Sequence, residues 1–212
     1  TAVHCDLSAD GKTVKVTDNG LGIPLKNVEQ VYSEFRTGSK FKDDDVDEKG
    51  FLHRTLGQNG LGASATCLTS DSFKVVVKHF NTKKEQTFDF IDGALKCKKS
   101  KAKAFRGASG VSVTLNLSKE VYKNVIIDKE LLRKRVIDLA YNNPGLTFYF
   151  NKEKFIFKKG LLELADRIDK KNAHEFGTEK YVFETTTPTK KNKAKGRIDT
   201  TLSLVINKLS DD

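Results

Sequence analysis

The chain has 212 residues, 37% hydrophobic and 31% charged, so it can bury a core beneath a charged surface and comprises one or two domains. It has no run of about 18 apolar residues, so we expect no transmembrane helix, and its first residues show no signal-peptide pattern. The net charge of +10 favours a polyanionic partner such as nucleic acid, although a basic domain without such a partner has the same balance.

The three cysteines, Cys5, Cys67 and Cys97, are odd in number and widely spaced. They match no zinc or disulfide framework, and we expect reduced thiols in an intracellular protein. The chain contains no Met and opens directly into a strand-like pattern at Val3. We therefore expect a fragment whose natural start lies upstream.

The first segments of the chain predict two strands and a helix. Residues 3–7 read as a strand, and residues 13–17 alternate polar and apolar side chains as a half-buried strand does. Asn19-Gly20 then signals a turn, and Pro24 suits the first turn of a helix. Apolar residues at 25, 28, 31, 32 and 35 have the spacing of an amphipathic helix over residues 25–35.

The turn Asp18-Asn19-Gly20-Leu21-Gly22-Ile23-Pro24 carries residues suited to holding a flat polar ring. A carboxylate at the end of a strand can accept a hydrogen bond from an exocyclic amine such as that of adenine. Gly20 and Gly22 lack Cβ atoms and permit positive φ, so a ring can approach the backbone, while Ile23 and Pro24 supply an apolar wall. The alternative is an ordinary Asx-turn between a strand and a helix, where Asp-Asn-Gly is common.

The segment Gly57-Gln58-Asn59-Gly60-Leu61-Gly62-Ala63-Ser64 places three glycines before a small-residue helix predicted over 62–68. Free N–H groups at a helix N-terminus favour bound phosphate, and glycines let the backbone approach its oxygens. Glycine also makes ordinary turns, and this loop lacks both the Gly-Lys-Ser/Thr of a P-loop and the preceding strand of a Rossmann fingerprint.

A polar, acidic and aperiodic stretch over residues 37–56 precedes this loop. Loops of this length within a domain are often lids, and we expect the acidic stretch from Asp43 to Glu48 to be disordered without nucleotide. Lys40, His53 and Arg54 flank the glycines and could screen phosphate charge, although each is also an ordinary solvated loop residue.

The rest of the chain alternates between strands and helices and then changes character. The patterns predict strands over 73–79, 86–91 and 111–117, a basic loop over 96–106, a helix over 129–141, a hairpin of 146–150 with 154–157, and a helix over 160–168. A linker over 169–177 is followed by strand-like runs over 179–186 and 197–206, joined by a lysine-rich segment over 189–196. This shift to paired strands predicts a second domain that begins near residue 175.

The two glycine motifs, in this order and with a lid between them, resemble the ATPase family shared by DNA gyrase, Hsp90 chaperones, histidine kinases and MutL. Thr37-Gly38-Ser39-Lys40-Phe41, the phosphate loop and Leu139-Ala140-Tyr141-Asn142-Asn143-Pro144-Gly145 narrow the resemblance to type IIA DNA topoisomerases. The resemblance covers nearly the whole chain. It implies an α+β fold, a two-layer α/β sandwich on a mixed, mostly antiparallel sheet, with the ATPase domain over 1–172 and the start of a transducer domain over 173–212.

The resemblance also implies site residues, ligands and partners. Asp18 matches the aspartate that binds the adenine amine, and Lys40 matches a lid lysine near the phosphates. Gly22, Ile23 and Pro24 match the floor of the adenine pocket. The implied nucleotide site comprises Asp18, Asn19, Gly20, Gly22, Ile23, Pro24, Lys40, Gly57, Gln58, Asn59, Gly60, Leu61, Gly62, Ala63 and Ser64. ATP and Mg²⁺ are the implied ligands. The implied partners are DNA, a second ATPase domain in an ATP-bound dimer clamp, and the DNA-cleavage subunit or domain, and no membrane is expected.

Three departures from the family pattern limit what this chain is expected to do. The general-base glutamate and the asparagine that helps to hold Mg²⁺ are expected upstream of Val3, and the transducer lysine is expected beyond Asp212. We therefore expect no catalytic residue here, no metal ligand, and ATP hydrolysis at the background rate by this fragment alone. Ser109-Gly110-Val111 stands where gyrases usually have Thr-Gly-Thr, so Val111 offers no second hydroxyl near adenine.

Two basic clusters fit DNA handling through phosphates, without aromatic residues for base stacking. The first contains Lys96, Lys98, Lys99, Lys101, Lys103 and Arg106, and the second contains Lys190, Lys191, Lys193, Lys195 and Arg197. Each could equally be a solvated loop. The alternatives left open are a MutL-type mismatch-repair ATPase and a catalytically inactive nucleotide-binding module for protein assembly. The expected location is intracellular, in the cytoplasm or nucleoid of a bacterial or viral system or in a eukaryotic nucleus.

Overall fold

The computed structural model describes residues 1–34, 61–91, 93–94, 96–161, 163–164 and 167 with their side chains, and the backbone of 179–188 and 193–202. Three α-helices and eleven strands have both of their ends within these residues. The helices are α1 (Val28–Ser33), α2 (Leu61–Leu68) and α3 (Lys129–Asn142). The strands are β1 (Ala2–Leu7), β2 (Thr13–Asp18), β3 (Ser70–His79), β4 (Lys84–Ile91), β5 (Lys96–Lys99), β6 (Lys103–Ala104), β7 (Gly110–Leu117), β8 (Thr147–Phe150), β9 (Glu153–Phe155), β10 (Glu179–Pro188) and β11 (Lys193–Leu202).

Nine of these strands form one sheet in the order β5-β4-β3-β7-β2-β1-β8-β9, with β6 also paired to β4. Every pairing is antiparallel except that of β1 with β8, which is parallel. The predicted mixed, mostly antiparallel sheet is thus confirmed. Strands β10 and β11 pair with each other as a separate antiparallel hairpin.

All three helices pack on the same face of the large sheet. Helices α1 and α2 cover β3 and β4 in a first core built around Phe73, Val75 and Phe90. Helix α3 covers β1, β2 and β8 in a second core that includes Val136 and Ala140. The two cores are continuous across the sheet. Leu115 of β7 lies opposite Val14 of the second core on one side and opposite Phe73 of the first core on the other. The described part of the chain is therefore the two-layer α/β sandwich that the sequence predicted.

The predicted loop over 96–106 was wrong in part. Lys96–Lys99 and Lys103–Ala104 are strands that pair with the outer edge of β4. This edge carries backbone N–H and C=O groups that need partners, and Cys97 packs against the first core. The basic side chains of this segment are therefore held on a sheet edge.

The other predicted elements occur with shifted ends. The helix expected over 25–35 begins as a short 3₁₀ turn at Leu25–Asn27, where the Asn27 N–H donates to the Pro24 carbonyl oxygen, and becomes α-helical at Val28. Within the helix expected over 160–168, residues 161, 163, 164 and 167 are helical. The lysine-rich segment is shorter than expected, because β11 begins at Lys193. The lid over 37–56 and the linker over 169–177 lie outside the described residues.

Candidate functional site

The candidate nucleotide site begins at Asp18, the last residue of β2. Its carboxylate Oδ1 accepts a hydrogen bond from the Gly20 N–H at 2.8 Å. The Asx-turn that the sequence left as an alternative is therefore present. It occupies only one carboxylate oxygen, and within the described part of the chain Oδ2 makes no hydrogen bond. The turn and a ligand contact are compatible, because a carboxylate can accept several hydrogen bonds.

Register places the Asp18 side chain on the helix-covered face of the sheet. Asp18 lies opposite Val3 on β1, and Val3 packs against the second core. Tyr32 of α1 provides a second indication of this orientation. The pKa of Tyr32 is raised to about 12. Burial is the main reason for this raised pKa, and the nearby negative charge of Asp18 contributes to it as well. The carboxylate thus points into the layer between sheet and helices, beside α1.

The backbone after Asp18 is fixed by close contact with β3. Gly22 has a φ of +76°, and a Cβ at this position would lie 2.6 Å from the carbonyl oxygen of Lys78. The Phe80 N–H donates to the carbonyl oxygen of Leu21 at 2.9 Å. The glycine is therefore required by the protein's own backbone, whatever else approaches it.

A second contact to the turn comes from the segment before β7. The Ser109 hydroxyl donates to the carbonyl oxygen of Gly20 at 2.7 Å. A Cβ on Gly110 would lie 2.0 Å from the carbonyl oxygen of Asp18, and φ at Gly110 is +145°. The first hydroxyl and the glycine of Ser109-Gly110-Val111 thus position the aspartate turn, whereas Val111 lies opposite Val77 and packs against the first core.

The other predicted residues of this turn have mixed surroundings. Ile23 packs against the first core, and Pro24 is exposed. The Asn19 side chain is engaged within the protein, since its Oδ1 accepts a hydrogen bond from the Ala2 N–H at 2.8 Å. Asn19 therefore fastens the end of β2 to the start of β1.

The second motif is described only from Leu61 onward, where α2 begins. Leu61, Gly62 and Ala63 are exposed, and a Cβ on Gly62 would have no atom within 4 Å. Ser64 is buried, and its hydroxyl donates to the carbonyl oxygen of Leu61 at 3.3 Å. The first turn of α2 is thus open to approach. The predicted site residues Lys40, Gly57, Gln58, Asn59 and Gly60 lie outside the described residues, as do His53 and Arg54.

Sequence reasoning missed the part of the site that comes from β3. The contacts that Lys78, in β3, and Phe80, just after β3, make with the aspartate turn come from their backbone atoms. Such contacts leave no side-chain signal in a single sequence, so only the sheet order reveals them.

The first basic cluster divides between the two faces of the sheet. Lys98 lies opposite Asp89 and Lys103 lies opposite Glu85, on the face without helices. Lys99 points the other way and forms an ion pair with Glu29 of α1, and the hydrogen bond to Glu29 raises the pKa of Lys99. Lys101 is exposed between β5 and β6.

The second basic cluster is described only through its backbone. Lys193, Lys195 and Arg197 lie on β11, and Lys190 and Lys191 lie outside the described residues. Among the residues that the structure describes, no three His, Cys, Asp or Glu side chains are grouped so that they could hold a metal ion. No described helix has the length and apolar character needed to cross a bilayer.

Comparisons with known proteins agree with the predicted resemblance, although no protein-family model matches the chain. The DNA gyrase B protein of Caulobacter vibrioides is 27% identical over 195 residues, covering 80% of this chain and 23% of that protein. The DNA topoisomerase 4 B protein of Mycoplasma pneumoniae is 28% identical over 175 residues, covering 74% of this chain and 26% of that protein. The chain spans about a quarter of the length of these curated relatives.

A solved structure shares the fold. The ATPase region of Saccharomyces cerevisiae topoisomerase II superposes with a TM-score of 0.67 at 21% sequence identity, covering 87% of this chain and 49% of that one. The predicted α+β class is confirmed, and so is the resemblance to type IIA topoisomerase ATPase regions.

Proposed function

We propose that this chain, whose relatives are type II DNA topoisomerases, forms part of an ATP-binding region that couples ATP-driven dimer closure to DNA strand passage. One observation carries the assignment to ATP. Asp18 ends β2 with its carboxylate facing the helix layer, and one of its oxygens has no hydrogen bond within the described part of the chain.

The aspartate turn supplies the chemistry for adenine recognition. The Asp18 carboxylate accepts a hydrogen bond from the 6-amino group of adenine, while Gly20 holds the first carboxylate oxygen in place. Ser109 and the β3 backbone fix this turn through contacts that do not involve the carboxylate's second oxygen. The acceptor is thus preorganised, which lowers the free energy needed to order it on binding.

The start of α2 supplies the proposed phosphate contact. The first four N–H groups of a helix lack acceptors within the helix, and the helix dipole favours an anion there. Leu61, Gly62 and Ala63 leave this turn exposed. Lys40 and the segment 57–60 complete the phosphate site in this proposal.

Magnesium is proposed only as the ion that accompanies the phosphates of ATP. The described residues contain no group of metal-binding side chains, so no ligand and no chemical step are assigned to the ion.

The remaining parts of the proposal concern the whole protein. The hairpin of β10 and β11 begins a transducer domain, with the boundary near residue 172. The partners are duplex DNA, a second ATPase domain when ATP is bound, and the DNA-cleavage subunit or domain. Lys98, Lys101, Lys103, Lys190, Lys191, Lys193, Lys195 and Arg197 contact DNA phosphates in this proposal. The location is intracellular.

A comparison of two nucleotides tests the ATP assignment. We expect a non-hydrolysable ATP analogue with Mg²⁺ to bind the chain at least about tenfold more tightly than the matching GTP analogue in calorimetry. Guanine presents a carbonyl where adenine presents its amine, which would leave the carboxylate facing another acceptor. Equal affinities for the two analogues would contradict the assignment.

A further inference from the structure

The face of the sheet opposite the helices is a second candidate surface. Cross-strand pairs define which side chains lie on it: Lys15 opposite Thr114, Thr114 opposite Lys74, and Lys74 opposite Asp89. The helices α1, α2 and α3 all lie on the other face, and within the described residues nothing covers this one. We call it the open face.

The open face carries an excess of positive charge. Its charged side chains on the paired strands are the lysines Lys15, Lys74, Lys78, Lys96, Lys98, Lys103 and Lys154 and the acids Asp6, Glu85 and Asp89. Seven lysines against three acids leave an excess of four positive charges. The basic segment 96–106 was visible in the sequence. The lysines of other strands that lie on the same face became apparent only from the pairing of the strands.

Two of the acids are already neutralised by lysines of the same face. Lys74 Nζ lies 3.4 Å from Asp89 Oδ1. Glu85 lies between two cations, with its oxygens 3.6 Å from Lys78 Nζ and 3.3 Å from Lys103 Nζ. Lys15, Lys96, Lys98 and Lys154 form no ion pair within the described part of the chain, although Asp6 lies opposite Lys15 and Asp89 lies opposite Lys98. These four cations are therefore free to meet an external anion.

The shape of the open face suits an extended ligand. Two shallow hollows of about 480 and 500 Å³ lie on it. The first is lined by Lys15, Lys78, Glu85 and Ser112 and reaches the end of β2 at Asp18, and the second is lined by Lys74, Asp89, Lys98 and Thr114. Both are bordered by β3, at Val76 and Lys78 for the first and at Ser72 and Lys74 for the second. At about 3.4 Å per residue, they follow one strand for roughly 20 Å.

The lining chemistry selects among extended ligands. Beside apolar residues such as Val76 and Ile91, each hollow carries two lysines and hydroxyl groups, which an apolar peptide or helix would cover without offering them hydrogen-bond partners. A polyanion is favoured, since Lys15 and Lys98 offer one unpaired cation in each hollow and hydroxyl groups add neutral donors. Over 20 Å of duplex axis, one strand of DNA presents about six phosphates, enough to meet both hollows.

We propose that the open face binds duplex DNA through its phosphates, with Lys15 and Lys98 as the principal contacts. The inference rests on the proposed function only in the choice of DNA as the polyanion. It assigns Lys99 no DNA contact, because that side chain is held by Glu29 on the opposite face.

The test is binding of a 20-base-pair duplex to the chain by fluorescence anisotropy at several salt concentrations. The double variant Lys15→Gln, Lys98→Gln should bind at least about tenfold more weakly at 0.1 M salt. Its log–log salt slope should be smaller by about 1.8, since each phosphate contact contributes about 0.9. The matched control is Lys26→Gln, Lys134→Gln, which removes the same charge from exposed positions on the helix side and should change the affinity less than threefold.

Two results would overturn the proposal: equal losses in both double variants, which would show an effect of net charge alone, or no loss in either. Circular dichroism should show that all variants fold, because the four lysines are exposed. ATP-analogue binding measured on the same proteins separates the two proposals. If the open-face variant loses DNA affinity but none of the proteins binds the ATP analogue, the proposed function alone is refuted. If the proteins bind the ATP analogue and the open-face variant keeps its DNA affinity, this inference alone is refuted.

Discussion

At the scale of single residues, the glycines of the aspartate turn have different tasks. The sequence indicated that Gly20 and Gly22 would clear space for a flat ring. The structure shows that Gly22 clears space for the carbonyl of Lys78, whereas a Cβ on Gly20 would meet the Asp18 carboxylate at 2.9 Å. The need for glycine at position 22 was thus predictable from the sequence. The group that requires it was not, because it is a backbone carbonyl of a strand over fifty residues away, and the motif itself contains no information about that strand.

Replacing Gly22 with alanine should destabilise the fold strongly. The substitution adds strain at positive φ, about 1–3 kcal/mol, to a clash with backbone that cannot move aside as a side chain can. We expect a loss of more than about 2 kcal/mol in urea unfolding. Gly107→Ala has positive φ but open space and should lose less, while Gly62→Ala, in helix α2, should gain up to about 1 kcal/mol. Equal effects at Gly22 and Gly107 would contradict the packing argument.

At the scale of elements, periodicity predicted the strands and helices that have one buried face. Helix α3 is an example, since Val136 and Ala140 face the second core and Asp128 caps its start. Strands β5 and β6 escaped prediction because they are short and four of their six residues are lysines, which are uncommon in strands, and pairing with the edge of β4 makes them strands. The sequence therefore predicted the helices and strands that bury one face in a core. It missed the edge strands, which form through hydrogen bonds to the adjacent strand.

The cap of α3 should contribute measurably to stability. The Asp128 carboxylate accepts a hydrogen bond from the Leu131 N–H at 2.9 Å. Asp128→Ala removes this acceptor and should cost about 1 kcal/mol, while Asp128→Asn keeps it and should stay within a few tenths of the parent. Thermal unfolding of the three proteins checks this. An alanine variant as stable as the asparagine variant would show that the cap is dispensable.

At the scale of the whole molecule, one sheet carries two cores on one face and a basic open face on the other. The fold class was predictable because the resemblance covers nearly the whole chain. The division of the basic cluster between faces was not, since alternation assigns sides only once register is known. Lys98 and Lys99 are neighbours in sequence and lie on opposite faces.

The buried cysteines should report the integrity of both cores. Burial chiefly raises the pKa of Cys67 to about 12 and that of Cys5 to about 11, from an ordinary value of about 9. Above pH 9 the unfolded chain loses thiol protons that the folded chain keeps, so stability should fall as the pH rises from 9 toward 11.

Thiol labelling at pH 8 should therefore be slow at Cys5 and Cys67 in the folded chain and fast after unfolding in urea. Cys97, which is half-buried, is the internal comparison and should react sooner. Rapid native-state labelling of Cys67 would contradict the closed first core.

The central claim is that the Asp18 carboxylate recognises adenine, and calorimetry of a non-hydrolysable ATP analogue with Mg²⁺ tests it most directly. The proteins are the parent chain, Asp18→Asn, which keeps an acceptor for the Gly20 N–H, and Asp10→Asn, a matched change in the β1–β2 turn. We predict that the parent and Asp10→Asn bind alike and that Asp18→Asn loses at least about tenfold in affinity. Undiminished binding by Asp18→Asn would contradict the account.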